Sequence, residues 1–153
     1  MEKHCIGSLF YNLEQTSRIC RAVGENYFEE NAKLQISLDE FIILETILID
    51  SGICQRDLAK LILKGTSHTS KLLSALENKG LIERFVDTKG RRIVKKIGIT
   101  EKGMEIYNFA NKIMLEYVKK IENAIGKEQA IECTKFLNKI KEVVMANTDI
   151  IFE

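Results

Sequence analysis

The chain contains no proline. None of its elements can therefore be ended by a ring that removes the backbone N–H, and each must stop at glycine, at a polar cap or at charge. No apolar run approaches the roughly 20 residues needed to cross a membrane. Residues 1–15, MEKHCIGSLFYNLEQ, carry neither the apolar block nor the small-residue cleavage site of a secretion signal, so the cytoplasm is the expected compartment. Histidine is scarce as well: His4 and His68 are the only two. The four cysteines, Cys5, Cys20, Cys54 and Cys133, lie far apart with no CxxC pair. This excludes a zinc site of ordinary spacing and argues against metal sensing through His4, Cys5 and nearby carboxylates. No cofactor is called for, and in a reducing compartment such isolated cysteines are expected as small buried hydrophobes.

What is present suits one folded unit. At 153 residues, with 45% hydrophobic and 29% charged side chains, the chain can build a proper core or two small lobes sharing helices. Its formal net charge of +1 conceals a partition: −5 over residues 1–50, +7 over 51–102 and −1 over 103–153. A basic middle between acidic or neutral ends is the asymmetry expected when one face must neutralise phosphates and the rest must stay soluble.

Periodicity supplies the elements. Ile6, Leu9, Phe10, Leu13, Ser17, Cys20, Val23, Gly24 and Tyr27 recur every three or four residues and predict a long first helix with one apolar stripe. SLDE at 37–40 is a capping box, starting a second helix with Phe41, Leu44, Ile47 and Leu48 inward, closed by Ser51 and Gly52. A short third helix follows Cys54 at its cap position and carries Leu58, Ala59, Leu61 and Ile62. A fourth runs from about Thr66 to Lys79 and stops at Gly80. Leu81 to Val86 and Arg92 to Ile99 read as two strands around the turn 87–90, with a bulge or twist expected at Lys95, where the alternation fails. Thr100 opens another long helix, whose stripe runs from Ile106 through Tyr107, Ala110, Ile113, Met114, Tyr117, Val118 and Ile121 to Ile125. Gly126 interrupts it, and a last helix places Ile131, Phe136, Leu137, Ile140, Val143 and Val144 on one side. The fold class is mainly α with a small β-hairpin wing. Three long helices at the ends have wide apolar faces and few elements to cover them, so a symmetric homodimer is expected.

Two short helices, a glycine stop and a basic hairpin make a winged helix-turn-helix. DLAKLI, LLSALENKGLIER, DTKGRR and ITEKG, in that order, resemble the multiple antibiotic resistance regulator (MarR) family of bacterial transcription factors, and the likeness extends over nearly the whole chain. It implies a winged helix-turn-helix domain over 37–103 and a helical dimerisation region from 1–36 and 104–153. It further implies a transcriptional regulator, by analogy a repressor, binding a pseudo-palindromic operator as a homodimer and released by a small aromatic or amphipathic ligand whose binding residues stay unknown. The family's wing pattern, D-x-R-D-x-R, places Asp87, Lys89 and Arg92 at its first, third and sixth positions. Gly90 stands where the second Asp would be, which leaves the wing arginine's role open between Arg92 and Arg91, and the hairpin is one residue longer than usual.

The DNA-reading set follows from which side of the fourth helix is apolar. With Thr69, Leu72, Leu73 and Leu76 inward, Thr66, Ser67, His68, Ser70 and Lys71 face the groove as donors and acceptors for base edges and phosphates. Gln55 at the start of the third helix is assigned to the same surface. Lys89, Arg91, Arg92, Lys95 and Lys96 crowd the wing, where an anion is needed nearby. Alternatives of other kinds remain. Cys20, flanked by Arg18 and Arg21, is the candidate for a thiol-based redox sensor of the same fold. A winged-helix protein-interaction module would use the same scaffold without DNA. An enzyme would have to rely on His68 with Ser67 or Ser70, on one helix and with no Asp close by, a poor basis for a triad; none is expected.

Overall fold

The computed structural model describes residues 6–32, 36–89 and 92–146. Six helices and one hairpin succeed one another as α1 (Leu9–Ala32), α2 (Leu38–Ile49), α3 (Gln55–Leu61), α4 (Thr66–Asn78), β1 (Ile82–Lys89), β2 (Arg92–Ile99), α5 (Glu101–Ile125) and α6 (Lys127–Ala146).

Local chemistry sets most of these boundaries. At the start of α2 the Glu40 N–H donates to Ser37 Oγ at 3.2 Å and the Ser37 N–H to Glu40 Oε2 at 2.8 Å, which closes the capping box. The end of α4 is a Schellman closure: Gly80, at φ 71°, lets its own N–H reach Glu77 O while that of Leu81 reaches Leu76 O. The end of α3 closes the same way, with N–H groups of Leu63 and Lys64 on Lys60 O and Ala59 O, but the left-handed position is taken by Leu63 at φ 54°. Without the freedom of glycine, that residue holds a backbone conformation leucine normally avoids.

The strands pair antiparallel from Ile82 opposite Ile99 to Lys89 opposite Arg92 without a break in register. This corrects two expectations. The first strand runs on through Lys89, so residues 87–89 belong to it rather than to a turn over 87–90, of which Gly90 lies outside the described residues. No bulge occurs at Lys95, which sits directly opposite Val86. Its lysine side chain is carried by a regular, exposed ladder position rather than expelled from the pleat.

Phe28, Phe41, Ile43, Leu44, Ile47, Ile53, Leu58, Leu73, Leu76, Leu81, Ile82, Ile97 and Ala110 form one buried cluster. It lies where α2, α3, α4 and the base of the hairpin meet, with α1 contributing Phe28 and α5 Ala110. Aromatic packing continues through Phe28, Phe41 and Tyr107, with ring centroids 5.7 and 5.5 Å apart in turn. Burial beside Glu45 holds the Tyr107 phenol above its usual pKa. In α3 only Leu58 and Ala59 turn fully inward, whereas Leu61, expected in the stripe, is exposed.

The stripes of the terminal helices behave differently. Leu9, Phe10, Ile19 and Val23 of α1, Leu115 and Val118 of α5, and Ile131, Phe136, Leu137, Val143 and Val144 of α6 are exposed in the single chain, and α6 buries none of its residues.

Candidate nucleic-acid interface

The base of the wing is tied to the helices at three places. β2 is linked to the loop before α3 by a bond from Ile97 N–H to Ile53 O of 3.1 Å. Arg84 of β1 lies 3.1 Å from Glu77 and 3.4 Å from Ser74 of α4. α5 is locked on by Thr100, whose hydroxyl accepts the Gly103 N–H at 3.0 Å and donates to Gly80 O at 2.7 Å. The contact is so close that a Cβ on Gly103 would stand 2.0 Å from Leu81 O, which explains physically why ITEKG ends in glycine.

With its core side fixed by Thr69, Leu73 and Leu76, α4 turns Thr66, Ser67, His68 and Lys71 to solvent, with Ser70 and Leu72 half-buried at the margins. The Thr69 hydroxyl is satisfied by Gly65 O at 3.0 Å. Gln55, opening α3, is half-buried. The backbone of Lys89 and Arg92 forms the last rung of the wing, while their side chains and the whole of Arg91 lie outside the described residues, as do His4 and Cys5. Lys95 is exposed. Lys96 is drawn to Asp87, Nζ to Oδ2 2.6 Å, so a carboxylate of the chain itself supplies an anion beside the crowded lysines. Among the described residues Lys71 and Lys95 form no ion pair and are available to an external anion.

Charged side chains missed in the sequence also converge here. Asp39 in the first turn of α2 receives Lys64 Nζ at 2.8 Å and Arg21 Nη2 at 2.5 Å, and His68 Nε2 lies 3.8 Å away. Burial alone would raise the Asp39 pKa, but hydrogen bonds from Lys64 and Arg21 outweigh it and hold the carboxyl below the usual range. The expectation that no Asp lies near His68 is therefore corrected: residues 29 positions apart meet because α2 and α4 pack together. The acid group is already held by two cations, and among the described residues no serine hydroxyl bonds to His68, so the arrangement organises charge without activating a nucleophile. Another ion pair, half-buried Lys79 Nζ on buried Glu40 at 2.7 and 2.8 Å, ties the end of α4 to the start of α2.

No protein-family model matches the chain. The HTH-type transcriptional regulator YybA of Bacillus subtilis (strain 168) is 28% identical over 95 residues, which is 62% of this chain and 63% of YybA, so the match spans less than two thirds of that relative's length. Among solved structures, the organohalide-sensing transcriptional regulator RdhR in its 2,4-dichlorophenol-bound form superposes with a TM-score of 0.77 at 21% identity, covering 100% of this chain and 92% of RdhR. The MepR–DNA complex of S. aureus gives a TM-score of 0.73 at 23% identity, covering 90% of this chain and 96% of MepR. The fold is that of the MarR-family winged-helix regulators.

Within this MarR fold the cysteines depart from expectation. Cys20 and Cys133 are exposed and Cys54 is half-buried, so they are not the buried small hydrophobes predicted. α1 and α6 carry the first two on surfaces that one chain leaves open. Cys54 precedes α3 without capping it; its thiol donates to Asp57 Oδ2 at 3.0 Å and lowers the pKa of that carboxyl. Arg18 and Arg21, the cations flanking Cys20, are occupied by Glu14 and by Glu25 with Asp39.

Proposed function

We propose that the chain is a sequence-specific, duplex-DNA-binding transcriptional regulator that acts as a homodimer in the cytoplasm, has no catalytic role, and represses until a small ligand releases it. The observation that carries this reading is the exposed, polar and basic start of α4, with Thr66, Ser67, His68 and Lys71 outward, beside a basic wing on a MarR fold. Ser70 and Gln55 border the same surface. Side chains of this size and polarity suit base edges, and the wing cations Lys89, Arg91, Arg92, Lys95 and Lys96 suit phosphates.

Residues 37–103 form the reading unit, and 1–36 with 104–153 form the dimerisation region. The exposed apolar faces of α1, α5 and α6 support that division, because a second copy would cover them. Two recognition helices about one helical turn apart would then enter successive major grooves of a pseudo-palindrome. A small aromatic or amphipathic effector is the proposed inducer, supported by the phenol bound to RdhR. It would act by favouring a spacing of the two helices that no longer matches the grooves. This reading is favoured over thiol sensing because the arginines that could activate Cys20 are paired with carboxylates.

The test compares a duplex selected from a random pool by the wild-type protein with a scrambled duplex of the same length. His68→Ala with Lys71→Ala weakens binding to the selected duplex by about tenfold or more while changing binding to the scrambled one far less. Equal loss on both would remove base reading from α4.

A further inference from the structure

Four ionisable groups from four parts of the chain meet at the start of the recognition helix. Arg21 comes from the middle of α1, outside the winged unit. Asp39 comes from the first turn of α2, Lys64 from the turn between α3 and α4, and His68 from the first turn of α4. Asp39 is the one acid touching the other three, with a side chain 16% exposed. Its oxygens are divided between them: Oδ1 takes Arg21, while Oδ2 takes Lys64 and faces His68 Nε2. A further carboxylate, Glu25, holds the same Arg21 Nη2 at 2.9 Å from one turn along α1.

We propose that Asp39 is a positioning residue for DNA reading: it sets how Lys64 and His68 are presented at the start of α4 and makes that presentation depend on where α1 holds Arg21. The proposal rests on the DNA-binding reading above. Without the carboxylate, Lys64, and His68 whenever it is protonated, would crowd Arg21 in one small volume with only Glu25, already on Arg21, left as a compensating charge. Their repulsion would push the turn at 63–65 and the first residues of α4 away from α2. The turn has little slack to absorb this, since Leu63 is already in the left-handed region and Lys64 N–H is committed to Ala59 O. With the carboxylate in place, a shift of α1 moves Arg21, Arg21 pulls on Asp39, and Asp39 carries the change to two side chains beside the groove. A change in the helical lobe thus has a charged route to the reading surface.

The sign of one substitution separates this role from simple electrostatics. Asp39 is a negative charge beside a surface meant for phosphates. If charge alone mattered, Asp39→Asn would raise affinity for every duplex. As a positioning residue, its loss lowers the ratio of affinities for the selected and scrambled duplexes by about tenfold, the size expected when a base-reading group is misplaced. Arg21→Gln, on a helix assigned no DNA contact and 43% exposed at its side chain, lowers the same ratio. The double variant is no worse than either single one, and Arg21→Lys restores most of the discrimination.

Fluorescence anisotropy with the two duplexes, run on full-length variants whose thermal midpoints are recorded alongside, reads all four. If Asp39→Asn proves poorly folded, the Arg21 pair decides alone. An Asp39→Asn protein binding both duplexes more tightly, or a folded Arg21→Gln protein with unchanged discrimination, overturns the inference and leaves the DNA reading intact. A wild-type protein that fails to discriminate overturns both.

Discussion

At Gly103 a hydrogen atom decides how the last third of the chain leaves the wing. The residue lies in the first turn of α5, capped by Thr100, and the backbone of Leu81 occupies the space a methyl group would need, 2.0 Å from the carbonyl oxygen. Gly103→Ala must therefore move backbone against backbone, and a loss of about 2–3 kcal/mol is expected, measured as a drop in denaturation midpoint at unchanged denaturant slope. A wild-type midpoint would refute the close approach. TEKG was legible as a motif, but its reason was not, because spacing does not reveal which carbonyl a helix will start against. The same holds for Asp39. Its place in SLDE reads as an ordinary acidic first-turn residue favoured by the helix dipole, and its partners at positions 21, 64 and 68 become neighbours only when three helices pack. Phe28, buried in the core, also lay outside the stripe read for α1.

At the scale of elements, caps and stops were the legible part. Ser37 with Glu40, Thr100 and Gly80 set helix boundaries through bonds that depend on residues a few positions away, so the local sequence contains the information. The wing was legible in kind and in the extent of its second strand, Arg92–Ile99, but not in that of the first. Gly90 and the charges around it signalled a turn, but whether the first strand runs on past Val86 to Lys89 depends on cross-strand pairing that alternation does not fix. Its base is anchored through Arg84 to Glu77 and through Ile97 to Ile53, which makes the hairpin a supported arm for cations at the tip. Arg91→Ala with Arg92→Ala lowers affinity for selected and scrambled duplexes alike and flattens the dependence of log affinity on log salt by about two phosphate contacts. Titrations at four or more salt concentrations measure this, and an unchanged slope would take the wing out of the interface.

Over the whole molecule, two surfaces of opposite character remain open. One is the polar, cationic face of α4 and the wing, where much of the +7 charge of residues 51–102 is carried. The other is apolar and spread along α1, α5 and α6. The charge partition made the first visible in the sequence, and the heptad-like stripes pointed to the second. The exposure of Cys20 follows from that second surface: a stripe that looks like core in sequence stays open when only one chain is present. A pair of chains joined along it would carry two reading units, the number a palindrome requires. Sedimentation velocity of the protein with a fluorescent copy of the selected duplex measures this most directly. The predicted result is a single complex of two chains per duplex; one chain per duplex, or protein sedimenting apart from the label, would contradict it.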